Sequence, residues 1–435
     1  MRDRLRRGVV ALACAWMACG AARADDLLDV WRLALANDPV LAAADAARAG
    51  SHDLADQARA ALLPQASATA AIGRERDTGA AQPAASSHTT DVALGVSQVV
   101  FDAGLWSQLR AARLAADAQD ATLQAARQAL CLRVATAYFD ALLAADLLVS
   151  VQANEDAFAQ QVEQSRHRYE VGLDAQVDVD QSRAYQALAH GNTIAARQAL
   201  TDAMSALAEI IGSTPATLKG LRDELPLVAP SPADPQAWAE SALQANPTLW
   251  AAQKGVASAE SAIAAARAGH LPSLSAGFNL GRPTGTPYGD QGGRLANTVA
   301  LTLSVPLFAG GATQARVSQA VHQRDGARDS LESQRRAVAR AAKTAYGSVV
   351  AGIGQVRATR ESVVAAQTSL AATRVGREVG NRTQTDVLNA IQTLAQAQAA
   401  YAQARYQFIL GRLQLLQAAG TLTEADLANV NALLQ

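Results

Sequence analysis

The sequence predicts a mainly α fold with a small share of β structure, built twice in one chain, and three observations lead there. No glycine or proline occurs between Gly104 and Gly172, a run of 67 residues that would extend roughly 100 Å as a single α-helix. Four short segments, around residues 66–70, 92–96, 274–280 and 299–307, alternate apolar with small or polar residues, the period of a strand. Landmarks recur at one spacing: Pro247 follows Pro39, Pro272 follows Pro64 and Gly281 follows Gly73, each by 208 residues. A unit this long is a duplicated half-molecule, not a solenoid repeat.

Residues 1–24 read as a secretory signal peptide. Arg2, Arg4, Arg6 and Arg7 precede an apolar stretch from Gly8 to Ala18, and Ala22-Arg23-Ala24 stands before Asp25. An alternative is a lipoprotein signal acylated at Cys19, although Trp16 stands where such signals prefer leucine. Cleavage after Ala24 leaves 33 basic and 38 acidic residues, a balance of −5, which argues against a nucleic-acid partner. It also leaves Cys131 as the one cysteine, so no intrachain disulfide framework exists, and the thiol is expected to pack as a small apolar group.

From Asp26 the first copy, residues 25–212, gives a short helix with Trp31, Leu33 and Leu35, broken at Asn37-Asp38-Pro39, and a second helix ending at Leu63-Pro64. Ala66, Ala68 and Ala70 alternate with Ser67 and Thr69, and Val92, Leu94 and Val96 alternate with Ala93, Gly95 and Ser97. The loop between them is read as Arg76 to Thr90, giving a β-hairpin. In the long helix, Leu109, Ala116, Leu123, Leu130, Ala137, Ala144, Val151 and Phe158 recur every seven residues, a seam that keeps facing a neighbour if the helix supercoils left-handedly. The pattern breaks at Val171-Gly172-Leu173-Asp174 and resumes through Val179, Ile194, Leu200, Leu207 and Ile211, as in a helical hairpin. The roughly 35- and 23-residue helices together approach the long helix in length, which suits two short helices stacked beside one long one in a cylinder.

A proline-rich linker, residues 213–235, leads to the second copy, residues 236–420, and a tail, 421–435. Its strands are clearer: Leu274, Ala276, Phe278 and Leu280, then Val299, Leu301, Leu303, Val305 and Leu307, with Arg282 to Asn297 as the loop. Its last helix carries doubled apolar positions, among them Val387/Leu388, Leu394/Ala395, Tyr401/Ala402, Phe408/Ile409 and Leu415/Leu416, which bury two flanks as in a ring of helices. One oily and one polar strand face suit a barrel wall between lipid and lumen, and suit a soluble sandwich equally. No run of 18 apolar residues follows the signal, so a membrane would be crossed as a β-barrel. Four strands cannot close one, and closure would require several protomers.

The run Glu378-Val379-Gly380-Asn381-Arg382-Thr383-Gln384-Thr385-Asp386-Val387-Leu388-Asn389-Ala390, with Ala404-Arg405-Tyr406, the corners Val305-Pro306-Leu307-Phe308 and Val99-Val100-Phe101-Asp102, and Asn37-Asp38-Pro39-Val40-Leu41, resembles the TolC family of outer membrane channels, on its type I secretion branch. The resemblance covers the mature chain. It implies a homotrimer whose twelve strands form one outer membrane barrel, continued by a helical tunnel across the periplasm. It further implies outer membrane lipid around the barrel, a periplasmic adaptor and an inner-membrane ABC transporter or proton-driven pump as partners, and no cofactor. Hairpin tips close the tunnel in the family, which places Asp178, Arg382 and Asp386 at the constriction and Gly172 and Gly380 at the tip turns. Two positions depart from the family pattern: Asn389 stands where a second acidic ring has Asp, and Arg377 where a tyrosine link is found.

Read without the resemblance, Asp178 and Asp386 are first-turn acids facing a helix dipole, Thr383-Gln384-Thr385-Asp386 is a capping box with Asp for Glu, and Arg382 with Asp386 is an ordinary exposed helical pair. Asp174, Asp178 and Asp180 lack the glycine-containing spacing of a calcium loop and read as a solvated helix start. The six histidines lack ligand spacing, and no phosphate loop, zinc motif or nucleophile elbow occurs. The remaining alternative is a soluble periplasmic coiled-coil adaptor, which carries long hairpins but normally only one of them.

Overall fold

The computed structural model describes residues 26–77, 85–215, 217–222, 224–282 and 295–435. The signal-peptide reading and most of the two inter-strand loops lie outside those residues. The described chain forms two compact units: residues up to Ala42 with Ala125–Asn246 and Ala337–Gln435, and Ala43–Gln124 with Pro247–Arg336.

The helices are α1 (Leu27–Asn37), α2 (Pro39–Ala60), α3 (Ala103–Glu170), α4 (Gln176–Ile211), α5 (Pro235–Ala245), α6 (Pro247–Arg267), α7 (Ala312–Glu378), α8 (Gln384–Ala418) and α9 (Glu424–Asn431). The 68 residues of α3 and the 67 of α7 correspond to about 100 Å each. The strands are β1 (Gln65–Asp77), β2 (Ala85–Phe101), β3 (Ser273–Arg282) and β4 (Ala296–Ser304).

In the second unit these strands form one antiparallel sheet in the order β1-β2-β3-β4, so that β2 and β3 join the two copies. Ala66, Ala68 and Ala70 lie opposite Val96, Leu94 and Val92, keeping small side chains against branched ones on one face. The hairpin reaches further than its composition suggests, since Arg76, Asp77 and Ala85 to Thr90 all belong to strands. In the second copy Arg282, Ala296 and Asn297 are likewise strand residues. Val305 and Leu307, read as strand, lie beyond β4, which ends before Pro306 because proline has no N–H for the ladder. A bulge at Val100 separates the Val99–Ser275 pair from the Phe101–Leu274 pair. In the same unit α2, α6 and the first parts of α3 and α7 pack through small side chains such as Ala55, Ala116, Ala121 and Ala320. Their exposed flanks carry ion pairs, Arg48–Asp120 at 2.9 Å, Lys254–Asp117 at 2.9 Å and Arg328–Glu260 at 2.6 Å, each contributing about 0–1 kcal/mol.

The first unit holds the main core: Leu27, Val30 and Trp31 of α1, Leu130 to Leu142 of α3, Leu207 and Ile211 of α4, Phe408, Ile409 and Leu413 of α8, and Leu427 of α9. The heptad seam is buried at Leu109, Ala116, Leu123, Leu130 and Phe158, but Ala137, Ala144 and Val151 are only half-buried. There Val134, Ala135, Tyr138, Phe139 and Leu142 face inward instead, because this stretch of α3 packs into a broad core and not against one parallel helix. Ile194 is likewise exposed, and Ala189 and Thr193 take the buried positions on α4. Of the doubled positions on α8, Val387/Leu388 and Phe408/Ile409 are buried as pairs, whereas Leu394/Ala395 and Tyr401/Ala402 are half-buried in the single chain.

Residues of the linker and the tail pack against the main core. Leu221 bridges to Leu434, Tyr138 donates to the Lys219 carbonyl at 3.0 Å, Arg405 donates to the Arg222 carbonyl, and Leu27 N–H donates to Asn431 of α9 at 3.0 Å. Both copies end their hairpins alike: Asn37 donates to the Ile211 carbonyl at 2.9 Å and Asn246 to the Ala418 carbonyl at 3.2 Å, satisfying a C-terminal carbonyl that would otherwise lack a partner. One 18-residue window of α3 reaches a mean hydropathy of 1.7, enough by composition to cross a membrane, where the sequence reading found no such span. We do not read α3 as a span: it is several times too long, and Leu130, Val134, Tyr138 and Phe139 spend its apolar face on the protein core. Cys131 is buried beside them, and burial pushes its thiol pKa up to about 12, leaving it an inert packing group.

Candidate functional site: the paired hairpin tips

Both hairpins turn by the same backbone device. In the first, Leu173 N–H donates to the Arg168 carbonyl at 2.8 Å and Gly172 N–H to the Tyr169 carbonyl at 2.9 Å. In the second, Asn381 N–H donates to the Gly376 carbonyl at 2.9 Å and Gly380 N–H to the Arg377 carbonyl at 3.2 Å. These nested bonds are Schellman caps, which need a left-handed residue after the helix. Gly172 and Gly380 supply it with φ of 76° and 83°.

The return helices begin differently. Thr383 caps α8: Asp386 N–H donates to its hydroxyl at 3.2 Å, and Thr383 N–H donates to the Asp386 carboxylate at 2.9 Å, a complete capping box. Those bonds from Thr383, assisted by the charge of Arg382, hold the Asp386 carboxyl below its usual pKa. On α4 the capping residue is Ala175, which has no side-chain oxygen, so only the reciprocal half exists: Ala175 N–H donates to Asp178 at 3.2 Å. Asp178 and Asp386 thus both occupy first turns. Arg382 stands in the turn before the capping residue, so it is not the i,i+4 helical partner of Asp386, and among the described residues it makes no direct ion pair. Its side chain lies over Gly376, where an added Cβ would come within 2.7 Å of Arg382 Cγ.

Asp174 is not a solvated helix start. Its side chain is 1% exposed and lies between two guanidinium groups. Arg168 of the same hairpin donates from Nε to both carboxylate oxygens at 3.1 and 3.2 Å. Arg377 of the other hairpin places Nη2 2.6 Å from Oδ1, a charge contact and not an aligned hydrogen bond, and its buried Nε also lacks a hydrogen-bond partner.

Below that triad a polar layer joins the hairpins. Gln384 donates to Ser182 at 3.0 Å, Ser182 and Ser165 hydroxyls lie 3.1 Å apart, Thr385 donates to Gln181 at 2.9 Å, and Tyr185 donates to Asn389 at 3.0 Å. An apolar layer follows, with Phe158 and Ala189 against Leu370, Val387, Leu388 and Ile391. Sequence reasoning named Asp178, Arg382, Asp386, Gly172 and Gly380 and missed Asp174, Ser182, Gln384 and Gly376. It marked Arg377 and Asn389 only as departures, and the structure gives each a partner in the other hairpin. The arrangement offers hydrogen bonding, charge and an apolar seal. Among the described residues no group of three His, Cys, Asp or Glu side chains could hold a metal ion.

Comparison with known proteins agrees with this architecture. The family model described as "Outer membrane efflux protein" matches residues 30–213 and 238–421. Outer membrane protein TolC of Vibrio cholerae is 34% identical over 413 residues, covering 94% of each chain. The alkaline protease secretion protein AprF of Pseudomonas aeruginosa is 29% identical, over 93% of this chain and 86% of its own. Among solved structures, the CmeC outer membrane channel of Campylobacter jejuni superposes with a TM-score of 0.80 at 17% identity, covering 94% of this chain and 90% of its own. With its two matched halves, two helical hairpins and four-stranded sheet, the chain belongs to the outer membrane efflux protein family, the family of TolC.

Proposed function

We propose that this outer membrane channel works as a homotrimer, with twelve strands in one barrel, and that its hairpin tips form the constriction facing a periplasmic adaptor and an inner-membrane ABC transporter or proton-driven pump. The chain is a channel for secretion or efflux, and family membership makes it a transporter and not an enzyme. A soluble adaptor is not favoured, because both halves match the channel family.

The observation that carries the trimer is the open sheet. β1 and β4 are its edges, each paired on one side and without a strand on the other among the described residues, and all nine residues of β4 are exposed in the single chain. Unpaired edges are not tolerated in lipid, so closure by other copies follows if the sheet spans the membrane. Export with residues 1–24 removed, and strand-joining loops on the outer surface, complete the reading. A cysteine at Leu295, which is 69% exposed just before β4, should label on intact cells with a membrane-impermeant reagent; labelling only after the outer membrane is opened would invert the topology.

At the constriction, Asp178 and Asp386 would contribute six carboxylates in a trimer, favouring cations in a salt-dependent way. Arg382 would reach a neighbouring tip and help hold the closed state. Planar-bilayer recordings should show longer openings for Arg382→Ser and weaker cation preference for Asp178→Asn with Asp386→Asn. Wild-type behaviour in both would reduce these residues to turn and cap roles.

A further inference from the structure

We infer that a groove between α3 and α6 is a saccharide-binding site, with Trp250 as the platform for a pyranose ring and the polar side chains around it as partners for its hydroxyls. Two helix faces make the groove. Asp117, Asp120 and Gln124 follow one another at spacings of three and four along α3, and Gln253 and Lys254 stand three and four residues after Trp250 on α6. Each set therefore projects from one side of its helix. Together they line a water-accessible groove of about 440 Å³ within a single compact unit, a volume in the range of small-ligand sites.

The chemistry of the lining favours a neutral, hydroxyl-rich ligand with one apolar face. Lys254 Nζ lies 2.9 Å from Asp117, and Asp120 meets Arg48 Nε at 2.9 Å and His52 Nε2 at 3.0 Å, both from α2. An ionic ligand would have to break one of these pairs. A hydroxyl only adds to them, because a carboxylate has about four acceptor sites. The exposed amides of Gln124 and Gln253 are engaged by no other described residue and offer both donors and acceptors. Trp250 keeps 44% exposure in a chain with only 4% aromatic residues. The electron-rich face of an indole attracts the C–H groups of a sugar ring, and covering that face removes apolar surface from water. Helix packing does not demand these residues: at the 208-residue spacing, Trp250, Gln253 and Lys254 fall on Ala42, Asp45 and Ala46 of α2.

The groove also lies away from the edges where copies would join. Contacts run from α2 to α3 at Asp120, from α3 to α6 at Asp117 and where Ser258 donates to the Ala111 carbonyl at 2.9 Å, and from α6 to α7 at Glu260 and Arg328. The outer helices of that row, α2 and α7, adjoin the edge strands β1 and β4 in the chain. A trimer closed at those edges leaves the groove between α3 and α6 uncovered, a step that rests on the channel reading above. Glycan strands of the cell wall and soluble sugars both present pyranose rings to a protein of the cell envelope.

The test uses the full chain extracted in detergent. Isothermal titration with a tetramer of β-1,4-linked N-acetylglucosamine should show binding to the wild type, weakened about tenfold by Trp250→Ala through loss of the stacking platform and less by Gln253→Ala. The native mass of the assembly should be the same in all three proteins. Co-sedimentation with purified cell-wall sacculi separates the two sources. Retention of the wild type, lost in Trp250→Ala, assigns the glycan strand; oligomer binding without retention assigns a soluble sugar. Absence of binding in both assays, equal affinity in the wild type and Trp250→Ala, or equally good competition by the hydrophobic cation tetraphenylphosphonium would overturn the site. Binding by a wild-type chain that is not trimeric would overturn the trimer and leave the site standing.

Discussion

The two hairpin tips arise from one duplicated segment, and they have kept the backbone solution while parting in side-chain chemistry. Each ends its long helix in a Schellman cap on a left-handed glycine, Gly172 or Gly380. After that, the first tip invests in a buried carboxylate held by two arginines and starts its return helix on Ala175 with half a capping box. The second lends Arg377 to that carboxylate, leaves Arg382 exposed and starts on Thr383 with a complete one. Duplication therefore conserves what backbone geometry dictates, while side chains that meet between the copies are free to specialise.

The largest expected effect on this comparison comes from Asp174→Asn. Hydrogen exchange at the peptides spanning Glu170–Val179 and Gly376–Val387 should lose local stability together, by about 1–3 kcal/mol, because two guanidinium groups lose their shared anion. Loss confined to the first tip would mean that Arg377 contributes nothing across the gap. Next, Gly172→Ala and Gly380→Ala should each cost about 1–2 kcal/mol locally, the strain of a left-handed alanine. The two values should agree, since an added Cβ meets nothing within 4 Å at either position. A clear difference between them would break the equivalence of the two turns.

The capping asymmetry gives a smaller pair of effects with opposite signs. Thr383→Ala should destabilise the start of α8 by about 1 kcal/mol, and Ala175→Thr should stabilise the start of α4 by a similar amount by completing the box. Amide exchange rates of the first turns measure both. Smallest is the pH response. The folded-state pKa of Asp386 is lowered by its bonds from Thr383, so its contribution is fully present above the unfolded value and is lost as pH falls through the depressed folded one. The α8 cap should therefore be unchanged from neutral pH down to the ordinary carboxylate range and weaken below it, as read by exchange at the first turn of α8. Weakening already near pH 6 would point to another group.

The features legible in the sequence are those fixed by local chemistry. Sixty-seven residues without glycine or proline, the glycines at the turns, proline at each helix break and the 208-residue spacing are all visible without tertiary contacts. The capping box at Thr383 and Asp386 was legible for the same reason. What could not be read depends on distant partners. Asp174 looks like a solvated acid until Arg377, 203 positions later, is brought against it. The heptad seam fails at Ala137 and Ala144 because α1, the linker and α9 make a broad core around Tyr138 and Phe139. The helix α9 within the tail was not legible because eight helical residues carry little periodic signal on their own. Strand limits in the loops were misjudged because polar, glycine-containing edges of a hairpin resemble turns.

A chain whose sheet closes only with other copies is tested most directly by native mass spectrometry of detergent-extracted protein. The 435-residue chain has a mass of 45.1 kDa; the expected result is a complex of three chains, each lighter by its signal peptide, with no folded monomer retaining full β-sheet signal by circular dichroism. A stable monomer with that signal intact would contradict it.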